Sequence, residues 1–193
     1  MKYFFASDIH GSAFYCEKML KAFFDSKAEK LILLGDILYH GPRNDLPEEY
    51  APKKVISMLN PIRDRIYAVR GNCEAEVDQM VLDFPVLADY AVLYLNGISF
   101  YATHGHVYNA SENGKNLPPL SENDVLIHGH THIPVAERMT LETGEGKKRE
   151  ITVLNPGSVS IPKGGFPNSY AILEDRKFSI MDFEGNIIKS IEL

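Results

Sequence analysis

Over the first seventy residues, short wholly apolar runs alternate with stretches whose apolar positions recur every three or four residues. Residues 3–6 form a β-prone run that stops at Ser7-Asp8, residues 31–34 one that stops at Gly35-Asp36, and residues 66–69 one that stops at Arg70-Gly71-Asn72. Apolar runs this short, without alternation, suit strands buried on both faces. Between the first two runs, Ala13, Cys16, Leu20, Phe23 and Phe24 fall on one helical face, which predicts a helix over 13–26 with that face inward. A second helix is expected after Pro52, burying Val55, Ile56 and Leu59, because proline is accepted in a first helical turn. Strand, helix, strand, helix, strand predicts a parallel βαβ core.

From residue 91 the pattern changes. Residues 91–95 and 98–103 flank Asn96-Gly97, a pair that accepts the positive φ angles of a type I′ turn, so a hairpin is expected there. Residues 125–128 and 151–154 read as further strands, with 145–150 as a solvated hairpin loop, and 170–173, 178–183 and 187–191 as a meander. The expected fold class is α/β, a βαβ half meeting an antiparallel half. No repeat, low-complexity tract or linker interrupts the chain, so a single domain over 1–193 is expected.

Composition narrows this only at a few points. The 193 residues, 45% hydrophobic and 24% charged, suit a globular chain. The formal charge of −6 argues against a broad basic face for nucleic acid and, at first sight, against any polyanionic substrate. Cys16 and Cys73 cannot build a disulfide framework, and no C-x-x-C pair is present, so reduced thiols and a cytoplasmic location are expected. No apolar run is long enough for a signal-peptide core or a bilayer span, and no membrane partner is expected. Asn109-Ala110-Ser111 matches a glycosylation pattern that a cytoplasmic chain would not use.

The polar residues at the strand ends change the picture. The core strands end in Asp8-Ile9-His10, Gly35-Asp36 and Gly71-Asn72; the strand after the hairpin ends in His104-Gly105-His106, and the next runs into Gly129-His130-Thr131-His132. Five of the seven histidines lie between positions 104 and 132. In open α/β sheets, sites form outside the carboxyl ends of the strands, so five segments would deliver side chains to one edge. Residues i and i+2 of an extended chain face the same way, which would let Asp8 with His10, and His130 with His132, each present two donors. Asp8, His10, Asp36, Asn72, His104, His130 and His132 make seven oxygen and nitrogen donors without sulfur. One ion cannot use seven and keep an open position. Two ions sharing a carboxylate can, and ions roughly 3.5–4 Å apart are the arrangement that clamps attacking and leaving oxygens in phosphoryl displacement. Manganese, iron or zinc suits this set, and magnesium fits so many imidazoles less well.

In order and across most of the chain, Asp8-x-His10, Gly35-Asp36, Gly71-Asn72, His104 and Gly129-His130-x-His132 resemble the signature of the calcineurin-like metallophosphoesterase superfamily. The segments around Phe5–Gly11, His40–Asn44, Arg70–Cys73 and Asn155–Gly165 are similar to the small bacterial YfcE-type phosphodiesterases. The resemblance implies two packed mixed β-sheets flanked by helices, an αββα sandwich. It also implies a metal-dependent phosphodiesterase acting on a small phosphodiester, with a hydroxide bridging two divalent ions. Those ions would be manganese, with iron, zinc, nickel and magnesium as alternatives. Asp8, His10 and His132 would then hold the first ion, Asn72, His104 and His130 the second, and Asp36 would bridge. Two divalent ions against two carboxylates leave a local charge of about +2, which answers the objection raised by the acidic total. A homo-oligomer, dimer or tetramer, is consistent with the resemblance.

Several residues stay open. Cys73 stands where many members of that family carry a histidine proposed to protonate the leaving oxygen, and a thiol suits that task poorly. Asn72, Cys73 and His106 are therefore the catalytic candidates, with His106 as a substitute proton donor. Arg43 and Asn44 are candidate substrate contacts, since guanidinium suits phosphate geometry. His40 reads as loop or substrate contact, and His128 as structural. A phosphomonoesterase or nucleotide phosphatase on the same site is the alternative activity, and a non-catalytic scaffold of the same fold is the alternative class.

Overall fold

The computed structural model describes residues 1–110, 116–121, 123–143 and 147–193. β1 (Lys2–Ala6), β2 (Lys30–Leu33) and β3 (Ile66–Ala68) are the three predicted parallel strands; α1 (Ala13–Ser26) joins the first pair, and α2 (Pro52–Leu59) and a 3₁₀ turn (Asn60–Arg65) precede the third. A four-residue helix, α3 (Glu76–Gln79), follows. The second half supplies β4 (Tyr90–Leu95), β5 (Ile98–Thr103), β6 (Val125–Ile127), β7 (Val135–Thr143), β8 (Lys147–Asn155), β9 (Ser169–Glu174), β10 (Lys177–Asp182) and β11 (Ile187–Glu192). One sheet runs β11-β10-β9-β1-β2-β3 and the other β4-β5-β6-β8-β7. Both are mixed: β9 pairs antiparallel with β1, while β5, β6 and β8 run parallel.

The period of two explains the layering. Phe4, Ala6, Leu31 and Leu33 face one way, into a core shared with Cys16, Met19 and Phe23 of α1 and Val55 and Leu59 of α2. Tyr3, Phe5, Ile32 and Leu34 face the other way and meet Phe100, Ala102, Ile127 and Leu154 of the second sheet. Burying each large apolar side chain here contributes about 1.5–3 kcal/mol relative to exposure. The outer face of the second sheet, with Tyr101, Leu126 and Val153, is covered among the described residues by irregular chain carrying Ala110 and Leu120, so the helical layer lies on the first sheet.

Three readings need correction. Phe24 is exposed and Met19 takes its place in the helix core. The strand β7 is an addition, and Lys148, Arg149 and Glu150 belong to β8, paired with β7, instead of a loop. This ribbon carries charged side chains on exposed positions, so no apolar run marked it as a strand. Residues 145 and 146 of the expected loop, and Ser111 of the Asn-Ala-Ser match, lie outside the described residues. No helix among the described residues is long and apolar enough to cross a membrane.

Candidate metal centre

The loops that leave the parallel strands are tied to one another by backbone hydrogen bonds. Asp8 N donates to Gly35 O, His10 N to Asp36 O at 2.9 Å, and Gly11 N to Ile37 O at 2.9 Å, which joins the ends of β1 and β2. Gly129 N donates to His104 O at 2.8 Å, joining β5 and β6, and His130 N donates to Asp8 Oδ2 at 3.1 Å, joining the two sheets. A side chain at Gly129 would collide with Ser7 and Asp8, and one at Gly71 with Asp36 and Glu74, so glycine is required where these loops cross.

The predicted donors converge, but not by the expected route. Asp8 (φ 58°), His10 (49°), Asp36 (55°), His130 (64°) and His132 (60°) all adopt left-handed backbone, whereas the i, i+2 argument assumes extended chain. Non-glycine residues rarely occupy this region, and buried examples concentrate at functional sites. Here the left-handed turns bring Asp8 and His10 into one group but divide His130 and His132 between two, where the alternation had both facing one site. Ligand atoms of Asp8, His10 and His132 lie within 4.8 Å of one another, and so do those of Asp36, His104 and His130. Asp36 also groups with His10 and Cys73.

The hydrogen bonds around the imidazoles define what the cluster can hold. Nδ1 of His10 donates to Tyr39 O at 2.8 Å, Nδ1 of His104 to Leu34 O at 2.6 Å, and Nδ1 of His132 to Ile161 O at 2.5 Å. Carbonyls only accept, so each Nδ1 carries hydrogen and each neutral ring turns a lone pair at Nε2 inward. The two Nε2 atoms of His10 and His132 face each other at 3.4 Å, with Asp8 Oδ1 3.6 and 3.2 Å away. Nε2 of His104 lies 3.3 Å from Asp36 Oδ2 and 3.2 Å from Asn72 Oδ1. His10 Nε2 lies 3.7 Å from the same Asp36 oxygen, so that oxygen stands between the two groups. Asp8 Oδ1 is buried without a hydrogen-bond partner among the described residues. Lone pairs packed against lone pairs require positive charge between them, either protons or cations, and this donor set fits two divalent ions.

Electrostatics agree. Burial alone would raise Asp8, but contacts from His10 and His132 and the charge of His104 hold its carboxyl well below the usual range. Burial likewise opposes ionisation of Asp36, and His104 overrides it. Burial opposes the charged form of His104, yet the hydrogen bond to Asp36 and the charges of Asp8 and Asp36 push it up to about 9. His130, half-buried, is pushed down to about 4 by burial and by repulsion from His104.

Glu74 is a residue the strand-end argument passes over. It is buried, and its carboxylate accepts from Asp36 N at 2.8 Å, Ile37 N at 2.7 Å and Gly71 N at 2.5 Å. It thus clamps the loop of Asp36 to the loop of Asn72, while burial and the charge of Asp36 push it up to about 7. Its only sequence signal is an acid two residues after Asn72.

A cavity of about 480 Å³ opens onto the donors and is lined by His10, Asp36, Asn72, Cys73, His130 and His132, with Arg43, Asn44, Thr131 and Lys163 among its further walls. Arg43, Asn44 and Cys73 therefore reach the site. Burial first, and then the charge of Asp36, raise the Cys73 thiol strongly, so it keeps its proton. His106 lies beside the site and not on the cavity wall, its ring 5.5 Å from His104 and 6.2 Å from His130. His40 packs against Tyr39 and Tyr50 and does not line the cavity. His128 is buried, with Nδ1 3.0 Å from Gly129 O and 3.4 Å from Asn155 Nδ2, as expected of a structural side chain.

Residues 1–177 match the family model of the calcineurin-like phosphoesterase superfamily domain. Phosphodiesterase YfcE of Escherichia coli (strain K12) is 49% identical over 181 residues, which cover 94% of this chain and 91% of that protein. The solved structure of YfcE, a phosphoesterase from E. coli, superposes with a TM-score of 0.90 at 47% identity, covering 100% of this chain and 99% of the other. A predicted phosphoesterase from Streptococcus pneumoniae TIGR4 shares the fold, with a TM-score of 0.61 at 20% identity over 100% and 97% of the two chains.

Proposed function

We propose that this chain, which belongs to the calcineurin-like phosphoesterase superfamily, is a metal-dependent phosphodiesterase acting as one domain over residues 1–193. The observation that carries the reading is the convergence of acceptor atoms around Asp8 Oδ1 and Asp36 Oδ2. Asp8, His10 and His132 would hold one divalent ion, Asn72, His104 and His130 a second, and Asp36 would serve both. When bound, the ions supply Lewis-acid polarisation of the phosphoryl oxygens and a hydroxide nucleophile near neutral pH. Manganese is the leading candidate for an oxygen and imidazole set, with iron, zinc, nickel and magnesium as alternatives.

The chain's own residues divide the remaining tasks. The carbonyl contacts of His10, His104 and His132 hold their rings in one tautomer and orientation, which removes reorganisation from each turnover. Arg43 and Asn44, on the cavity wall, hydrogen-bond substrate oxygens that do not react. Cys73, also on the wall, donates a weak hydrogen bond to the leaving oxygen, and His106 is the second candidate for delivering a proton there. Such a site suits substrates with good leaving groups. A cytoplasmic location agrees with the two free cysteines. A homo-oligomer is proposed from the family alone.

The test is removal and restoration of metal. Chelated protein should lose hydrolysis of bis(p-nitrophenyl) phosphate and regain it with Mn²⁺. Turnover of neither this diester nor p-nitrophenyl phosphate in the restored protein would overturn the enzyme reading. Preference for the monoester would move the substrate class to phosphatases.

A further inference from the structure

We infer that the substrate carries a second anionic group, a phosphate or carboxylate beyond the scissile diester, and that Lys163 together with Arg43 binds it. The inference rests on the phosphodiesterase reading and extends it to a substrate class. In a chain of net charge −6, the cavity over the donors has two cationic side chains on its wall, Arg43 and Lys163, and one carboxylate, Asp36. Asp36 is already committed: Oδ1 accepts from Cys73 N at 2.9 Å, and Oδ2 faces His10 and His104. Neither the Arg43 guanidinium nor the Lys163 ammonium has a hydrogen bond or ion pair among the described residues, and both stand on the wall of the one cavity that opens onto the donors.

Both cations stand on segments fixed to the donors. Lys163 N donates to His132 O at 3.1 Å, and His132 Nδ1 donates to Ile161 O two residues earlier. The hydroxyls of Ser158 and Ser160 in the same loop donate to Asp8 O at 3.0 and 3.1 Å. On the other segment, Tyr39 O accepts from His10 Nδ1, and Asn44 Nδ2 donates to His40 O at 2.8 Å. The roots of both side chains are thus held in register with the reacting centre, which is what a specificity contact requires and what a freely moving surface loop lacks. A diester brings one negative charge, which two divalent ions already oversupply. Two further uncompensated cations on a wall of nucleotide-sized volume match a substrate with charge to spare.

The experiment uses two p-nitrophenyl diesters of one nucleoside, identical except that the far end of the sugar carries a hydroxyl in one and a phosphate in the other. With the Mn²⁺-loaded protein, the phosphorylated diester should show about tenfold higher kcat/KM, residing in KM and shrinking in high salt. Arg43→Gln combined with Lys163→Gln should bring the ratio between the two substrates close to one, and Lys163→Gln alone should lower it part of the way. Equal kcat/KM in the unmodified protein, or a ratio that survives the double substitution, would overturn the inference. If neither diester is hydrolysed, the phosphodiesterase reading fails, and the anion preference is then read by titration. The loaded protein should bind the nucleoside bisphosphate about tenfold tighter than the monophosphate, and equal affinities would overturn the inference.

Discussion

Two of the settings in which left-handed backbone occurs in this molecule differ in what they achieve. At Lys27, Asn96 and Asp175 (φ 58°, 50° and 52°) the residue ends a helix or turns a hairpin, and its side chain is exposed or half-exposed. At Asp8, His10, Asp36 and His132 the same conformation occurs in residues no more than 3% exposed. In the first setting the backbone is the purpose and the side chain is incidental. In the second, the strained backbone aims a donor that an extended chain would send elsewhere, and the hydrogen bonds between strand-end loops hold it there.

The largest expected effect comes from changing donor chemistry while sparing the backbone. Asp36→Asn keeps an oxygen for the Cys73 N–H and removes the charge shared by His10 and His104. Activity on a model diester should fall by at least about 10³-fold, while the circular dichroism spectrum stays unchanged. Retained activity would show that Asp36 does not serve both groups.

Removing the clamp beneath the strained loops comes next. Glu74→Ala orphans three buried N–H groups, those of Asp36, Ile37 and Gly71, and should cost about 2–4 kcal/mol in denaturant unfolding together with most metal affinity. Asn96→Ala, which removes two exposed bonds to Met1 O and Asp175 O, should cost about 1 kcal/mol or less and leave hydrolysis unchanged. Equal losses of activity in the two variants would erase the distinction between the settings.

Cys73→His leaves both settings of left-handed backbone intact and changes the proton supply, giving up the hydrogen bond from Asn72 Nδ2 to Cys73 Sγ. Rates on a diester with a poor leaving group should rise about 10-fold or more, with little change for p-nitrophenolate. Rates left unchanged by the substitution on both substrates would remove proton donation.

These contrasts also mark what could be read from the residues. The bounds of α1 follow from its apolar period and from Ser12, whose Oγ accepts from Tyr15 N at 3.2 Å, and the β4–β5 hairpin follows from Asn96-Gly97. The seven oxygen- and nitrogen-bearing side chains at strand ends were legible as candidate ligands, because their chemistry is unusual there. Their left-handed backbone was not, since neither Asp nor His prefers it strongly and the loops that enforce it are distant in sequence. Glu74 was hidden because it acts through backbone N–H groups that carry no residue identity. Lys163 was hidden because its loop is placed by Asp8 and His132, roughly 155 and 30 residues away along the chain. The outer half of β8 was hidden by charges on an exposed ribbon.

A smaller effect is set by protonation. In the metal-free protein His104 is raised from 6.5 to about 9 against burial, chiefly by Asp36. The stabilisation this provides is fully present below about pH 6.5 and is lost as pH rises through about 9. Metal must displace that proton, so Mn²⁺ binding near pH 7.5 should release about one proton, seen as a dependence of calorimetric heat on the buffer. Release should fade above about pH 9. No buffer dependence at pH 7.5 would mean that His104 is not displaced from a proton by the metal.

The smallest effect separates the two settings most directly. Lys27 caps α1 with its N–H donating to Phe24 O, and its side chain is exposed. Only backbone geometry is at stake there, so Lys27→Gly should relieve the left-handed penalty and stabilise the fold by about 0.5–1 kcal/mol, with metal binding and hydrolysis unchanged. The parallel substitution at His132 relieves the same penalty at φ 60°, yet it deletes the Nε2 that faces Asp8 and His10 and the Nδ1 bond that holds the Lys163 loop. His132→Gly should therefore abolish metal-dependent turnover even if the metal-free fold unfolds no earlier. If Lys27→Gly destabilised the protein, the cap would be doing more than turning the chain, and the comparison would have to be redrawn around side chains in both settings.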